Sequence, residues 1–154
     1  MLTLNIIQLL KLVHLLSVVI WIGGIFFAYV VLRPSIVEVL EPPQRLRLWR
    51  AVFSRFFVWV WAIVFALPAS GLYLIHLYGG MANVAPYIHI MLTLGLAMIA
   101  IFGYLYFACY KSLSLHVDNQ RWQEAGAMLT KIRKLVATNL ALGLITIAVV
   151  ALMR

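Results

Sequence analysis

Four long apolar stretches divide the chain: Ile6–Leu32, Phe56–Leu77, Tyr87–Tyr110 and Leu135–Met153. Each is near or above the roughly 20 residues a helix needs to cross the hydrocarbon core. A span surrounded by lipid has to satisfy its backbone polar groups internally, and helix is the form that does so. A β-barrel would show short alternating strands, whereas these runs are continuous. The pattern predicts an all-α fold, a transmembrane four-helix up-down bundle, with residues 1–154 forming a single domain. The first apolar run continues too far for a cleavable signal, and no small-residue cleavage site follows it.

The polar connections add direction. Segment Arg33–Arg55 carries Arg33, Arg45, Arg47, Arg50 and Arg55; segment Lys111–Lys134 carries Lys111, Arg121, Lys131, Arg133 and Lys134. The middle connection, Tyr78–Pro86, has no charge. Ten of the twelve Lys and Arg therefore fall on one side, against Lys11 and Arg154 on the other. The positive-inside rule places the basic segments in the cytoplasm and both termini in the periplasm or exterior. Pro42-Pro43 starts a new element, so Arg45–Arg50 reads as an extension of helix 2. Asn119 reads as the N-cap of a similar extension of helix 4. Trp49 and Trp122 read as interfacial anchors, and Pro68 as a kink in span 2.

Composition agrees: 66% of residues are hydrophobic and 10% charged. A soluble domain carries about 25% charged residues. The net charge of +8 follows the membrane topology and suits anionic lipid, so no nucleic-acid partner is expected. The lipid bilayer is the expected environment. Cys109 is the single cysteine and excludes an intrachain disulfide. All four acidic residues fall in the basic segments, which argues against a carboxylate-based proton-coupled transporter.

Candidate chemistry lies in the histidines. His14 begins span 1, His76 ends span 2 and His89 begins span 3, so an up-down bundle carries all three to one end. His116 belongs to a basic segment. Lys11, His14, Ser17, Trp21 and Gly24 share one face of helix 1; His89, Thr93, Leu96, Ala100 and Gly103 share one face of helix 3. Both stripes mix small and polar residues, as packed membrane interfaces do. Helices 1 and 3 would be diagonal neighbours, so His14 and His89 could ligate haem b from opposite sides, with His76 as alternate. Trp21 would line the site, and Lys11 and Arg154 would meet the propionates. Copper competes for the same histidines, with Met81 or Met91 adding thioether ligands suited to Cu(I). Asn139 and Thr146 are expected to bond across helices.

The stretch KLVHLLSVVIWIGGIFFAYVVLRPS resembles the CopD-like family, named for copper resistance protein D. His14, Trp21, Gly23, Gly24, Arg33 and Pro34 carry that resemblance, with Ser70-Gly71 on helix 2 and PYIHIMLTLGL, containing His89, on helix 3. The resemblance implies periplasmic copper handling. A weaker similarity to the HemJ-type protoporphyrinogen oxidases implies a haem-associated four-helix protein. It carries over the helix 1 and helix 3 histidines as His14 and His89. Met91 stands where that branch has a lysine, and no histidine follows Phe26-Phe27-Ala28-Tyr29. The sequence thus leads to a membrane haem b protein moving electrons from a quinol or other redox partner, with a homo-oligomer among its possible assemblies. The alternative is a copper-binding or copper-transport protein using the same His/Met cluster.

Overall fold

Helix forms wherever lipid would surround the chain, and it continues well beyond. The computed structural model describes residues 2–153, with side chains described from residue 5 onward. Helix α1 runs as Leu2–Phe26, a π-helical segment Phe27–Leu32 and a last stretch Arg33–Val39. Helix α2 is Pro42–Leu77. Helix α3 runs as Pro86–Tyr104, a π-helical segment Leu105–Tyr110 and Lys111–Asp118. Helix α4 is Trp122–Met153. Among the described residues there is no strand. The result is an all-α bundle of four long apolar helices, each able to cross a bilayer.

The spans measure 32 to 36 residues. At about 1.5 Å per residue even 32 residues reach roughly 48 Å, beyond the ~30 Å hydrocarbon core. The surplus lies at the basic end. Segments that looked like connections are therefore helical extensions, and Ile36, Leu46, Trp49, Leu113, Val117, Ala125 and Ile132 continue the bundle's single core into them. The extension of α2 agrees with the sequence reading; those of α1 and α3 were not foreseen.

Local chemistry sets the turns. Glu41 caps α2 in a capping box with Gln44, whose side chain accepts from the Glu41 N–H at 3.3 Å. Arg45 reaches back to the Leu40 and Val37 carbonyls and so caps the C-terminus of α1. Asn119 is not an N-cap. It follows the last turn of α3, and Gln120 adopts a left-handed φ of 56°. The Arg121 N–H bonds the His116 carbonyl and the Gln120 N–H the Val117 carbonyl, a complete Schellman stop. Both π segments occupy the same place in the two halves of the chain, just before a basic residue. In α1 the Arg33 N–H reaches back five residues to the Ala28 carbonyl. That wider turn gives room next to Pro34, which has no N–H and crowds the preceding turn.

Helix α1 packs along α2, and α3 along α4; α4 also touches α1 and α2. The two hairpins close on each other through an aromatic cluster in the basic half. Phe57 is its centre, with Phe53 at 5.2 Å, Phe102 at 5.4 Å and Tyr110 at 5.0 Å between ring centroids. Trp49, expected as an interfacial anchor, is buried and stacks on Phe53 at 5.1 Å. Trp122 stays half-buried at the surface, beneath the Arg47 guanidinium at 5.2 Å. Asn139 bonds across helices as expected, donating to the Met98 carbonyl at 3.2 Å. Thr146 does not; it donates to Leu142 of its own helix at 2.8 Å.

Candidate metal-binding cavity

At the other end, the histidine end, the hairpins stand apart. A cavity of about 460 Å³ lies between them and is lined by all four helices. Its walls are mostly aliphatic. The exceptions are Lys11 and His14 of α1, Met91 and Met98 of α3, and Thr146 of α4. Trp21 forms part of the floor, buried and set edge-on to Phe102 with centroids 6.4 Å apart. Beyond that contact the aromatic cluster begins, and the cavity ends there.

His14 is held by α2. Its Nδ1 lies 3.1 Å from Ser70 Oγ. The Ser70 hydroxyl has one hydrogen, and the Ala66 and Leu67 carbonyls lie 2.7 and 3.0 Å away as acceptors. With that hydrogen committed, Ser70 Oγ can only accept from His14. The network therefore puts the ring proton on Nδ1 and leaves Nε2 with a free lone pair. A ligating histidine anchored through its other nitrogen has this arrangement. Gly71 provides the seat: a Cβ there would stand 3.2 Å from His14 Cε1, so a larger residue would push the ring away. Pro68, one turn earlier, also lines the cavity.

The three outer histidines are not brought together. His76 is exposed and stacks on Tyr73 of its own helix at 6.3 Å. His89 is exposed and does not line the cavity. Among the described residues, no group of three or more His, Cys, Asp or Glu could hold a metal ion. The reason is the rotation of α3. Of the stripe expected to face inward, His89, Thr93 and Ala100 are exposed while Leu96 reaches the cavity wall, and Thr93 spends its hydroxyl on the His89 carbonyl at 2.9 Å. The inner face instead carries Met98, Phe102, Leu105 and Cys109, all buried. Large side chains fill the space between hairpins, so they take the inside. The α1 stripe, in contrast, does point inward: Ser17 and Trp21 are buried, and Gly24 lies against Phe56.

Other candidates fall away from the cavity. Met81 is exposed in the short helical turn Met81–Asn83 between α2 and α3. Lys11 reaches the Tyr78 ring at 5.8 Å and stands at the cavity's rim. Arg154 lies outside the described residues. The sequence reading missed Met98 as a lining residue and Ser70 as the partner of His14. Met98 was traceable, since seven residues separate it from Met91 and the two share a helical face. Ser70 had no comparable signal, because its role depends on where α1 lies against α2.

The cavity and the four spans define a polytopic membrane protein with a ligand-sized recess in one half of its bundle. A family model described as copper resistance protein D, CopD, matches residues 50–153, so the chain belongs to that family. The match covers most of α2 and all of α3 and α4, and leaves out α1 with His14. No curated protein and no solved structure matches the chain. The family ties the chain to copper resistance, and the haem b expectation finds no support from it.

Proposed function

We propose that the chain binds copper as Cu(I) in the cavity at the histidine end, and takes part in copper handling at the membrane. The observation that carries this reading is His14, whose tautomer leaves Nε2 free in the same recess as the Met91 and Met98 thioethers. One imidazole and two thioethers, with no carboxylate, form a soft donor set that suits Cu(I) over harder dications. An apolar surround favours an ion of low charge for the same reason. The Lys11 ammonium at the rim repels any cation, and repels a dication about twice as strongly as a monovalent one. His76 and His89 belong to this reading as outer residues an ion meets before the cavity. With the basic end in the cytoplasm, as the positive-inside rule has it, the cavity faces the periplasm. Copper here is cargo, and His14, Met91 and Met98 hold it.

The decisive experiment is anaerobic Cu(I) competition against a chromophoric chelator, on the detergent-purified full chain. One ion per chain in the wild type and none in His14→Ala supports the reading. Equal binding by both proteins sinks it. One observation favours a second reading: about 460 Å³ is far more than an ion needs. Haem b, with a quinol as electron source, would use that volume. His14 and Met91 would then hold it, because His89 lies outside the recess. A visible spectrum before and after dithionite separates the two, since sharp α and β bands belong to haem alone.

A further inference from the structure

The cavity at the histidine end has a depth and a rim charge that a bound metal ion does not use. At about 1.5 Å per residue, the rise along α1 from Lys11 at the rim to Trp21 at the floor is roughly 15 Å, half of the ~30 Å hydrocarbon core and so about one leaflet. Its volume of about 460 Å³ falls within the ~300–1,000 Å³ range of small-molecule sites, and its walls are mostly aliphatic. Leu15, Leu72 and Leu96 belong to those walls and are themselves exposed. The opening therefore extends down from the rim into lipid, and an apolar occupant enters without crossing water.

A positive charge marks the mouth. Lys11 Nζ lies 5.8 Å from the centre of the Tyr78 ring, and Tyr78 stands one turn beyond Leu74 and Ile75, which line the cavity. The ammonium is thus held at the top of the recess, where a lysine stem reaches the interface. All four acidic side chains, Glu38, Glu41, Asp118 and Glu124, belong to the opposite end, so none lies near it. A cation above an aliphatic recess one leaflet deep is complementary to an amphiphile with an anionic head. We propose that the cavity binds a long-chain fatty acid, with its carboxylate at Lys11 and its chain running down to Trp21. One chain fits one recess; a phospholipid would leave its second chain outside. Such a site uses the walls and the rim, not the His14 lone pair or the thioethers, and so stands apart from the copper reading.

The test titrates the full chain in phosphatidylcholine nanodiscs with palmitate brominated at its methyl end, since bromine quenches nearby tryptophan fluorescence. The expected result is a saturable loss of fluorescence at one fatty acid per chain, missing in Trp21→Phe. Gly95 lines the cavity with open space beside it, so Gly95→Leu fills the recess without a clash and should abolish the saturable part. Lys11→Gln should weaken binding about threefold, and Lys11→Arg should restore it. Quenching that never saturates in the wild type overturns the proposal, as does wild-type binding in Gly95→Leu. Equal saturable quenching by the methyl ester, which lacks the charge, also overturns it. So does equal quenching by phosphatidylcholine brominated at the same carbons, because the occupant would then be a bulk lipid chain. None of these readouts involves copper, so failure here leaves the copper reading standing.

Discussion

The two ends of this bundle use the same apolar helices to opposite effect. At the basic end, rings from α2 and α3 close on one another at 5.0 to 6.4 Å. At the histidine end the same helices diverge around about 460 Å³. Hydrophobicity does not separate the two, since lipid tails are as apolar as leucine and give helices no reason to associate. Side-chain size does. Phe53, Phe57, Phe102, Tyr106 and Tyr110 span the gap between hairpins at one end. At the other end Gly95 has open space beside it, while Gly71 and Gly143 let His14 and Ile22 pack close. In a membrane, contact area is the cohesive term, and the chain allocates it to the end without the chemistry.

That contrast can be broken from either side. The largest expected effect is His14→Ala, which removes one of the three proposed ligands. It should weaken Cu(I) binding by at least about 100-fold, or ~2.7 kcal/mol, in the chelator competition, with helicity and melting temperature unchanged. Phe57→Ala tests the closed end. No transfer from water is involved, so only the void counts. About 100 Å³ lost at ~24 cal/mol per Å³ gives about 2.4 kcal/mol of destabilisation, read from unfolding in mixed micelles. Cu(I) affinity should hold wherever the variant remains folded.

Ser70→Ala sharpens the comparison, because it leaves the cavity in place and frees only the ring. Loss of the Nδ1 anchor should weaken Cu(I) binding about tenfold by the same competition, and Ser70→Thr should restore most of it. The smallest expected change has the opposite sign. Lys11→Gln removes a repelling charge from the rim and should tighten Cu(I) binding about threefold, with the gain shrinking in high salt. His76→Ala and His89→Ala serve as paired controls for the cavity. A loss in either as large as that of His14→Ala would mean the ligands lie outside the recess.

Much of this was legible in the sequence. Length and continuity of the apolar runs predict four spans, and Pro42-Pro43 marks the start of α2. The inward face of α1 was readable because small Ser17 and Gly24 flank Trp21 at three- and four-residue steps. The same rule misled on α3. His89, Thr93 and Gly103 form as good a stripe, yet His89 and Thr93 are exposed. Ser17 and Thr93 both bond their own helix, one inside and one outside, so a hydroxyl that is satisfied locally does not fix which face turns inward. The Asn119 reading failed for a related reason: asparagine suits either end of a helix, and the left-handed Gln120 decided which. His14 was found as a candidate, but its tautomer was not, because that depends on a bond across 56 positions to Ser70.

The contact of Trp21 with Phe102 at the cavity floor has a kinetic consequence. A recess closed at its base loads and empties through the same opening. If the recess holds Cu(I) as proposed, a donor and an acceptor would compete for one position and exchange with the site in turn. Transfer would then follow ping-pong order, and excess acceptor would slow loading.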